Sequence, residues 1–307
     1  MSKYSILNFG LLLAIVALVA FVIYDPTELH GPQPQSLTTI DPATIDTIEI
    51  RQHNQSKITL QKQQTADGNG HWEITNPLAI AASTPKMKRL MGLLAANSIR
   101  QYTIAKEQLT KFGLAPAQWE IQFNQQTIRF GNTDAINQNR YVQVGDNIHL
   151  ITDRYSHQIA DLPLSLASLA LLPDSKDIRS IQTPSMHLVN NDGSWQLSPE
   201  HPGQPTDTTI TSQDNVNTFI DEWRYAQALR LSYQQQTLHQ KTSAAETIQQ
   251  PDADNRTRII IQTGNKPDIT HFVIMDNSDD FSLLHEELGI VYHLSNSAKE
   301  RLLNLPQ

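Results

Sequence analysis

The chain of 307 residues contains no cysteine. This absence excludes a disulfide framework, a thiolate metal site, a cysteine nucleophile and a lipid-modified N-terminal cysteine. Basic residues are also few, because 23 Lys and Arg stand against 31 Asp and Glu and give a formal net charge of -8. No run of Lys and Arg accompanies an aromatic stripe, so the sequence does not indicate nucleic-acid binding.

Long hydrophobic runs are absent with one exception near the N-terminus. Residues 6–24, ILNFGLLLAIVALVAFVIY, contain Asn8 as their only strongly polar side chain. As a helix they would extend about 28 Å, close to the hydrocarbon thickness of a bilayer. Lys3 precedes the segment and the next basic residue is Arg51, so the positive-inside rule predicts a single-pass anchor over residues 1–24 with a cytoplasmic N-terminus. A cleaved signal peptide is the alternative, although no A-x-A site ends the run.

The rest of the chain divides into a tether and two modules. Residues 25–43 are Pro-rich, polar and aperiodic, which predicts a tether. Beyond it, short runs of alternating apolar and polar residues predict an α+β fold of mostly antiparallel strands. In the first module these are two strands over residues 45–63, a third that carries Trp72, and WEIQF, QTIRFG, RYVQV and NIHLIT, closed by helical turns at residues 155–172. In the second module they are DIRSIQ, MHLVN and SWQLS, and then RIIIQT, HFVIM, FSLLHE and IVYHLS. We expect two tandem modules, residues 44–175 and 176–307, each with one main amphipathic helix.

Repeated landmarks predict that the second module is a diverged copy of the first. Trp72 in HWEITNP and Trp195 in GSWQLSP have near-identical settings, and we expect each to be a core position beneath its helix. The insertions that separate the copies are polar, and the longest is a Gln-rich stretch near residues 234–256.

The two main helices are predicted by apolar residues at i, i+3, i+4 and i+7. Thr84 before Pro85 is the expected N-cap of the first helix, and the second begins near Ser212. The two apolar stripes are Met87, Leu90, Met91 and Leu94 in the first module, and Val216, Phe219, Ile220 and Trp223 in the second.

Several of these landmarks resemble the DUF4340 family. The resemblance comes from Trp72-x-Ile74-x-x-Pro77 and the amphipathic helix, then FGLAP at residues 112–116, RFG at 129–131, and RYVQVGDNIHLI with the closing LPLSLASLALLPD. It covers about residues 68–175 and is weaker over the second module. It implies a bacterial inner-membrane protein with a periplasmic domain, some of whose relatives are auxiliary components of ABC-type transport or gliding systems. It supplies no catalytic residues.

Motifs for metal and nucleotide chemistry are incomplete. His285, Glu286 and Glu287 lie in HEEL, which lacks the second His of a zinc-protease helix, and His149 and Asp153 would be about 13 Å apart along a strand. No G-x-S-x-G elbow or phosphate-binding loop is present. We therefore expect no metal, cofactor or catalytic residue.

One acidic stretch, DNSDDF, is similar to a calcium-binding loop. Asp276, Ser278 and Asp280 take positions 1, 3 and 5, and Glu287 takes position 12. Phe281, however, stands where the tight turn of that loop requires Gly. An acidic turn is therefore the better interpretation of this stretch.

These observations predict a non-enzymatic envelope protein whose modules bind or scaffold another envelope component. The alternative is a periplasmic hydrolase or transferase that acts on a cell-envelope polymer in a cleft between the modules. A module that binds a soluble ligand is a third hypothesis. For the first, sheet edges and the groove between the modules are the expected contact surfaces.

Overall fold

A computed structural model describes most of the chain outside its N-terminus and its longest loops. The described residues are 10, 12–17, 35–53, 56–64, 70–103, 105–172, 177–198, 212–234, 257–264, 268–276 and 280–306. The Gln-rich stretch predicted near residues 234–256 lies outside them, apart from Gln234.

The predicted anchor also falls mostly outside the described residues. Of residues 6–24 the structure describes residues 10 and 12–17, which are helical and exposed. Among the described residues no helix combines the length and the apolar character needed to cross a bilayer. Of the predicted tether, residues 35–43 are described.

The first sheet has ten strands, and its neighbouring pairs are antiparallel. In chain order they are β1 (Gln35–Ser36), β2 (Thr47–Gln52), β3 (Ile58–Gln63), β4 (His71–Asn76), β5 (Ile80–Ala81), β6 (Asn97–Thr103), β7 (Trp119–Phe123), β8 (Gln126–Thr133), β9 (Asn139–Val144) and β10 (Asn147–Thr152). Across the sheet the order is β1-β6-β10-β9-β8-β7-β2-β3-β4-β5.

The second sheet has eight strands, again antiparallel. They are β11 (Ile178–Gln182), β12 (His187–Asn191), β13 (Ser194–Leu197), β14 (Arg230–Tyr233), β15 (Arg258–Thr263), β16 (Asp268–Asp276), β17 (Phe281–His285) and β18 (Ile290–Leu294). Their order is β13-β12-β11-β15-β16-β17-β18-β14. The first sheet ends at Thr152 and the second begins at Ile178, on either side of the predicted module boundary.

The two sheets share one connectivity. Apart from β1 and β5, which have no counterpart in the second sheet, three strands joined as hairpins precede a helix and a single strand, and a four-strand meander follows. The meander pairs with the first hairpin strand (β7 with β2, β15 with β11), and its last strand pairs with the single strand that follows the helix (β10 with β6, β18 with β14). With its mostly antiparallel sheets and few helices, the chain is α+β, as the sequence predicts.

Three α-helices pack on these sheets: α1 (Thr84–Met91), α2 (Gln213–Arg224) and α3 (Asn296–Leu303). All eight stripe residues predicted for the two main helices are buried. In α2 the Ser212 hydroxyl accepts a hydrogen bond from Asp214 N at 3.2 Å, as expected for an N-cap. The N-cap predicted at Thr84 is wrong by one residue, because Ser83 caps α1 and Thr84 already lies within it.

The repeated Trp positions agree in register but not in burial. Trp72 pairs with Lys62, and two residues further along β4 Ile74 pairs with Leu60. In the second sheet Trp195 pairs with Asn190, and two residues further along β13 Leu197 pairs with Leu188. Trp195 is 7% exposed, whereas Trp72 is only half-buried against the core. Because β13 is an edge strand, the burial of the Trp195 side chain depends on α2. Gln213 Nε2, at the start of α2, donates a hydrogen bond to the Trp195 carbonyl at 2.9 Å.

Four strands were not predicted: β1, β5, β6 and β14. Each lies at or next to the edge of its sheet. β1 and β5 have only two residues each, which is too short to show an alternation, and β6 and β14 bury no large apolar side chain. The apolar run at residues 155–172 was expected as helical turns and instead contains one short 3-10 helix, Ser156–Gln158, followed by turns.

Candidate functional site

A groove lies between the two modules, where a connecting segment pairs with both. Ser168 N donates to Ala81 O at 2.8 Å on the first module, and Ala228 N on the second donates to Leu169 O at 2.8 Å. Beside this segment is a cavity of about 540 Å³. Its walls come from β4 and β5 on one side, and from β16, β17 and β18 on the other.

The floor of the groove is apolar. It is formed by the buried side chains of Ile80, Leu171, Leu172 and Tyr292. Burial raises the pKa of Tyr292 to about 12. The hydroxyl therefore stays neutral at physiological pH, and the floor carries no charge from this residue.

On the side of the second module, the carboxylate of Glu287 lines the cavity and contacts two imidazoles. His271 Nδ1 forms a hydrogen bond with Glu287 Oε1 at 2.5 Å, and His285 Nδ1 lies 3.0 Å from Glu287 Oε2. The β16–β17 hairpin explains this placement, because Phe272 pairs with His285 and the turn after β17 brings Glu287 back over His271. His285 Nδ1 and Glu287 Oε2 are close enough for an ion pair, but the two groups are not aligned for a hydrogen bond.

The pKa values of this cluster have opposing causes. Burial lowers the pKa of His285, although the neighbouring Glu287 works against that shift. Partial burial alone would raise the pKa of Glu287, but the hydrogen bond from His271 and the charges of the two imidazoles lower it below its usual value. Glu287 is therefore ionised at neutral pH, whereas burial favours neutral His285.

The wall of the first module contributes His71 and Glu73. The Glu73 carboxylate accepts a hydrogen bond from Gln63 Nε2 at 3.1 Å. Exposed Ile269, at 47% exposure, adds an aliphatic side chain on the opposite wall. The groove thus combines an apolar floor with a polar rim whose carboxylates Glu73 and Glu287 are bound to side chains of the same chain.

No described group of three or more His, Asp and Glu side chains has an arrangement that could hold a metal ion. The cavity is lined by two imidazoles, three carboxylates and two threonine hydroxyls: His71, His285, Glu73, Asp268, Glu287, Thr263 and Thr270. The imidazole of His271 adds to them through its hydrogen bond with Glu287. Such groups can bind polar atoms of a ligand, and a neutral imidazole beside a carboxylate can accept a proton.

The sequence candidates are distributed over four places. His149 is 5% exposed and its Nδ1 lies 3.0 Å from Ser98 Oγ. Asp153 forms an ion pair with Arg140 at 2.8 Å and does not join His149. His285 and Glu287 belong to the groove. Glu286 instead lies 3.3 Å from Arg258.

The calcium-loop positions do not converge among the described side chains. Asp280 lies 3.8 Å from Arg230, and Glu287 belongs to the groove. Phe281 begins β17 and is buried. Ser278 lies outside the described residues.

Sequence reasoning missed His71 and His271. Both occur on strands that were predicted, but the chain separates them by 200 positions. The hairpin pairing of β16 with β17 would have placed His271 near Glu287, since the register follows from the turn length. No local sequence pattern indicates that His71 would line the same groove as His285 and Glu287.

Three landmarks of the DUF4340 resemblance, FGLAP, RFG and RYVQV, meet in one part of the first sheet. The carbonyl of Phe112 approaches Gly131 so closely that a Cβ at residue 131 would collide with it. Arg140 Nη1 donates to Gly131 O at 2.8 Å, and the ring of Tyr141 packs edge-on to Phe112 at 4.9 Å. Gly113 ends the 3-10 helix Lys106–Phe112 with a φ of 67°, which is a left-handed conformation.

Comparison of the chain with protein-family models, with curated proteins and with solved structures gives no match.

Proposed function

We propose that this chain is a non-enzymatic, single-pass protein of the bacterial inner membrane whose periplasmic modules bind or scaffold another envelope component. The apolar segment at residues 6–24 supports the anchor, and the absence of Lys and Arg between Lys3 and Arg51 supports the orientation. A component of an ABC-type transport system is the partner that the resemblance to DUF4340 favours.

The groove between the modules is the observation that carries this proposal. An apolar floor with a polar rim is typical of a surface that takes an apolar side chain and orients its polar neighbours. Glu73 and Glu287 are already bound to Gln63 and His271, and this pairing suits a binding surface. Ile269 exposes an aliphatic side chain to water, and a partner that covered it would bury that apolar surface.

Membership of the DUF4340 family is part of the proposal. Its support is that FGLAP, RFG and RYVQVGD, which are separate in the sequence, come together around Gly131. A close approach of backbone to backbone gives a physical reason for Gly at this position.

We also propose that the two modules are copies of one unit. Their strand orders, their helix stripes and the cross-strand register of Trp72 and Trp195 support this origin. Two copies on one tether would present two related surfaces to a neighbour in the membrane.

The test is photo-crosslinking of the full-length chain in intact membranes. We expect a photoreactive residue at position 269 to yield an adduct with an envelope protein, and Leu288→Arg in the groove to abolish that adduct. Ile136→Arg, on a loop residue that is 86% exposed, is the matched control and should keep it. The phenotype of a strain that lacks the protein should be restored by Ile136→Arg and not by Leu288→Arg.

The same strains distinguish the enzymatic alternative. If His285→Gln is folded, correctly localised and inactive in complementation while Leu288→Arg is active, then the groove performs chemistry and the binding proposal is wrong.

A further inference from the structure

A basic stretch of the first module contrasts with the acidic character of the whole chain. Residues 74–106 contain five Lys and Arg and no Asp or Glu, in a chain whose formal net charge is -8. The five are Lys86, Lys88, Arg89, Arg100 and Lys106. None of them forms an ion pair with another described side chain, whereas Arg51, Arg129 and Arg140 of the same sheet each have an acidic partner. Positive charge is therefore concentrated and uncompensated in this stretch.

The centre of the stretch is the solvent face of α1. The apolar stripe of this helix is buried in the core, and Lys88 and Arg89 are exposed. Lys86 lies at the border, where its Nζ donates to Ala167 O at 3.3 Å. Burial, and then the charge of Arg89, lower the pKa of Lys86, and no carboxylate of the described residues opposes that shift.

The N-terminal segment enters the fold beside this helix. β1 pairs with the first two residues of β6. Leu37 N then donates to Ala96 O at 2.7 Å, and Thr38 N donates to Leu94 O at 2.9 Å. Leu94 lies in the 3-10 helix Gly92–Ala95 that continues α1, and Ala96 directly follows it. The chain that arrives from the N-terminus is thus fixed against the end of α1.

The chain also limits how far this place can lie from the proposed anchor. Ten residues, 25–34, separate the end of the anchor from Gln35. Since a fully extended residue spans at most about 3.6 Å, β1 lies within about 40 Å of the anchor. The surface beside β1 is therefore held at a high effective concentration next to the bilayer.

β6 adds an apolar and a basic side chain directly after the residues that pair with β1. Ile99 is 40% exposed, and Arg100 is exposed as well. An aliphatic side chain next to cations suits the interface of a bilayer, where charged head groups lie over an apolar layer. The chemistry of β6 thus agrees with that of α1.

We infer that the solvent face of α1, with Lys88 and Arg89, and the neighbouring Ile99 and Arg100 of β6 bind the anionic phospholipid head groups of the bilayer that holds the anchor. Cations close to an anionic surface are attracted to it, whereas the acidic remainder of the chain is repelled. This binding orients the first module with α1 toward the membrane. The inference rests on the proposed function in one respect, that residues 1–24 anchor the chain.

The cysteine-free chain allows a label at one chosen position. The full chain carrying Gly92→Cys, labelled with a fluorophore, is reconstituted into phosphatidylcholine vesicles with and without phosphatidylglycerol, all containing a lipid with a nitroxide quencher on its head group. A Cβ at residue 92 meets no atom within 4 Å, so the substitution is tolerated. We expect the ratio of quenched to unquenched label to rise at least about tenfold with phosphatidylglycerol, since each of two cations contributes about a factor of five. Salt at about 1 M should remove this difference, because it shortens the Debye length to about 3 Å.

Matched controls test the position and the charge separately. A label at Gln125→Cys, in the turn between β7 and β8, should show no lipid dependence, because four strands separate β7 from β1. Lys88→Gln with Arg89→Gln should remove the lipid dependence at position 92. Arg51→Gln with Lys57→Gln removes the same number of charges beside β2 and should keep it. Thermal unfolding checks that both double variants are folded.

Equal quenching at position 92 in the two kinds of vesicle, or the same loss in both double variants, would overturn the inference. So would a Lys88→Gln, Arg89→Gln chain that loses the protein adduct of position 269 and keeps its lipid dependence, because a protein would then occupy this surface.

Flotation of the full chain with the vesicles tests the anchor separately. A chain that floats with phosphatidylcholine alone, and whose quenching ignores lipid charge, keeps the anchor and overturns the inference. A chain that floats only with phosphatidylglycerol, and no longer does so after Lys88→Gln with Arg89→Gln, keeps the inference and refutes the anchor. Flotation with neither lipid overturns both.

Discussion

At the scale of single residues, Arg140 and Asp153 form the most protected ion pair among the described side chains. The two side chains are 11% and 15% exposed, and Arg140 also donates to Gly131 O and Gln118 Oε1. Burial alone would raise the pKa of Asp153, but hydrogen bonds from Ser156 and Arg140, with the Arg140 charge, hold it below its usual value. Asp153 is therefore a structural residue, which its place in the sequence did not indicate.

Replacing Asp153 by Asn should lower the free energy of unfolding by about 3 kcal/mol at neutral pH, because Arg140 keeps a buried charge without its partner. A carboxyl whose pKa is lowered by folding stabilises the fold above its unfolded pKa, near about 4, and loses that effect as the pH falls through its folded pKa. The difference between Asp153→Asn and the wild type should thus shrink in acid, as measured by urea unfolding.

The exposed pair of Arg129 with Glu120, also at 2.8 Å, is the control for this prediction. Arg129→Gln should cost less than about 1 kcal/mol, since solvent screens an exposed pair. Equal losses for Asp153→Asn and Arg129→Gln would contradict the structural role.

The two repeated Trp residues should differ in their contribution to stability. Trp195→Ala should cost about 3–5 kcal/mol, the usual range for a buried aromatic side chain. Trp72→Ala should cost less, because that side chain is only partly buried against the core. Thermal and urea unfolding measure both, with exposed Leu197→Ala as the control in β13. An unchanged melting temperature for Trp195→Ala would show that its burial does not stabilise the fold.

At the scale of elements, apolar periodicity predicted both main helices because it is a local property of the sequence. The stripes at 87–94 and 216–223 repeat at helical spacing, and their burial follows from that spacing alone. The first residue of a helix is harder to predict from sequence than its apolar stripe, because neighbouring Ser and Thr residues can each take the N-cap position. Only the structure distinguishes Ser83 from Thr84.

The caps of the two helices should contribute unequally. Ser212→Ala should lower the free energy of unfolding by about 1 kcal/mol, since its hydroxyl accepts from Asp214 N. Ser83→Ala is a matched control, because that side chain makes no cap hydrogen bond. Chemical denaturation of the two variants measures the difference, and equal losses would refute it.

At the scale of the whole molecule, we propose that the anchor and tether hold the two modules at the periplasmic side of the membrane. Residues 6–24 should remain in the mature protein. A C-terminal alkaline phosphatase fusion should be active, and a C-terminal fluorescent fusion that folds only in the cytoplasm should be dark. A mature N-terminus near residues 21–25, found by mass spectrometry, would instead establish cleavage.

The sequence by itself determined the α+β class, most of the central strands, both helix stripes and the cap at Ser212. Each of these depends on neighbours a few residues away, and alternation or helical spacing reports them directly. It did not determine the strand order, the missed β6 and β14, or the unequal burial of Trp72 and Trp195.

Tertiary structure decided those features because they depend on contacts between distant segments. His71 reaches the groove of His271 and Glu287 only after two sheets have formed and a connecting segment has paired with both. The pairing of β1 with β6, and that of residues 169–171 with residues 226–228 just before β14, are likewise set by which extended segment lies beside which strand. Pairing energy is supplied by the backbone, which is nearly the same in every residue, so the choice of partner leaves little trace in local sequence.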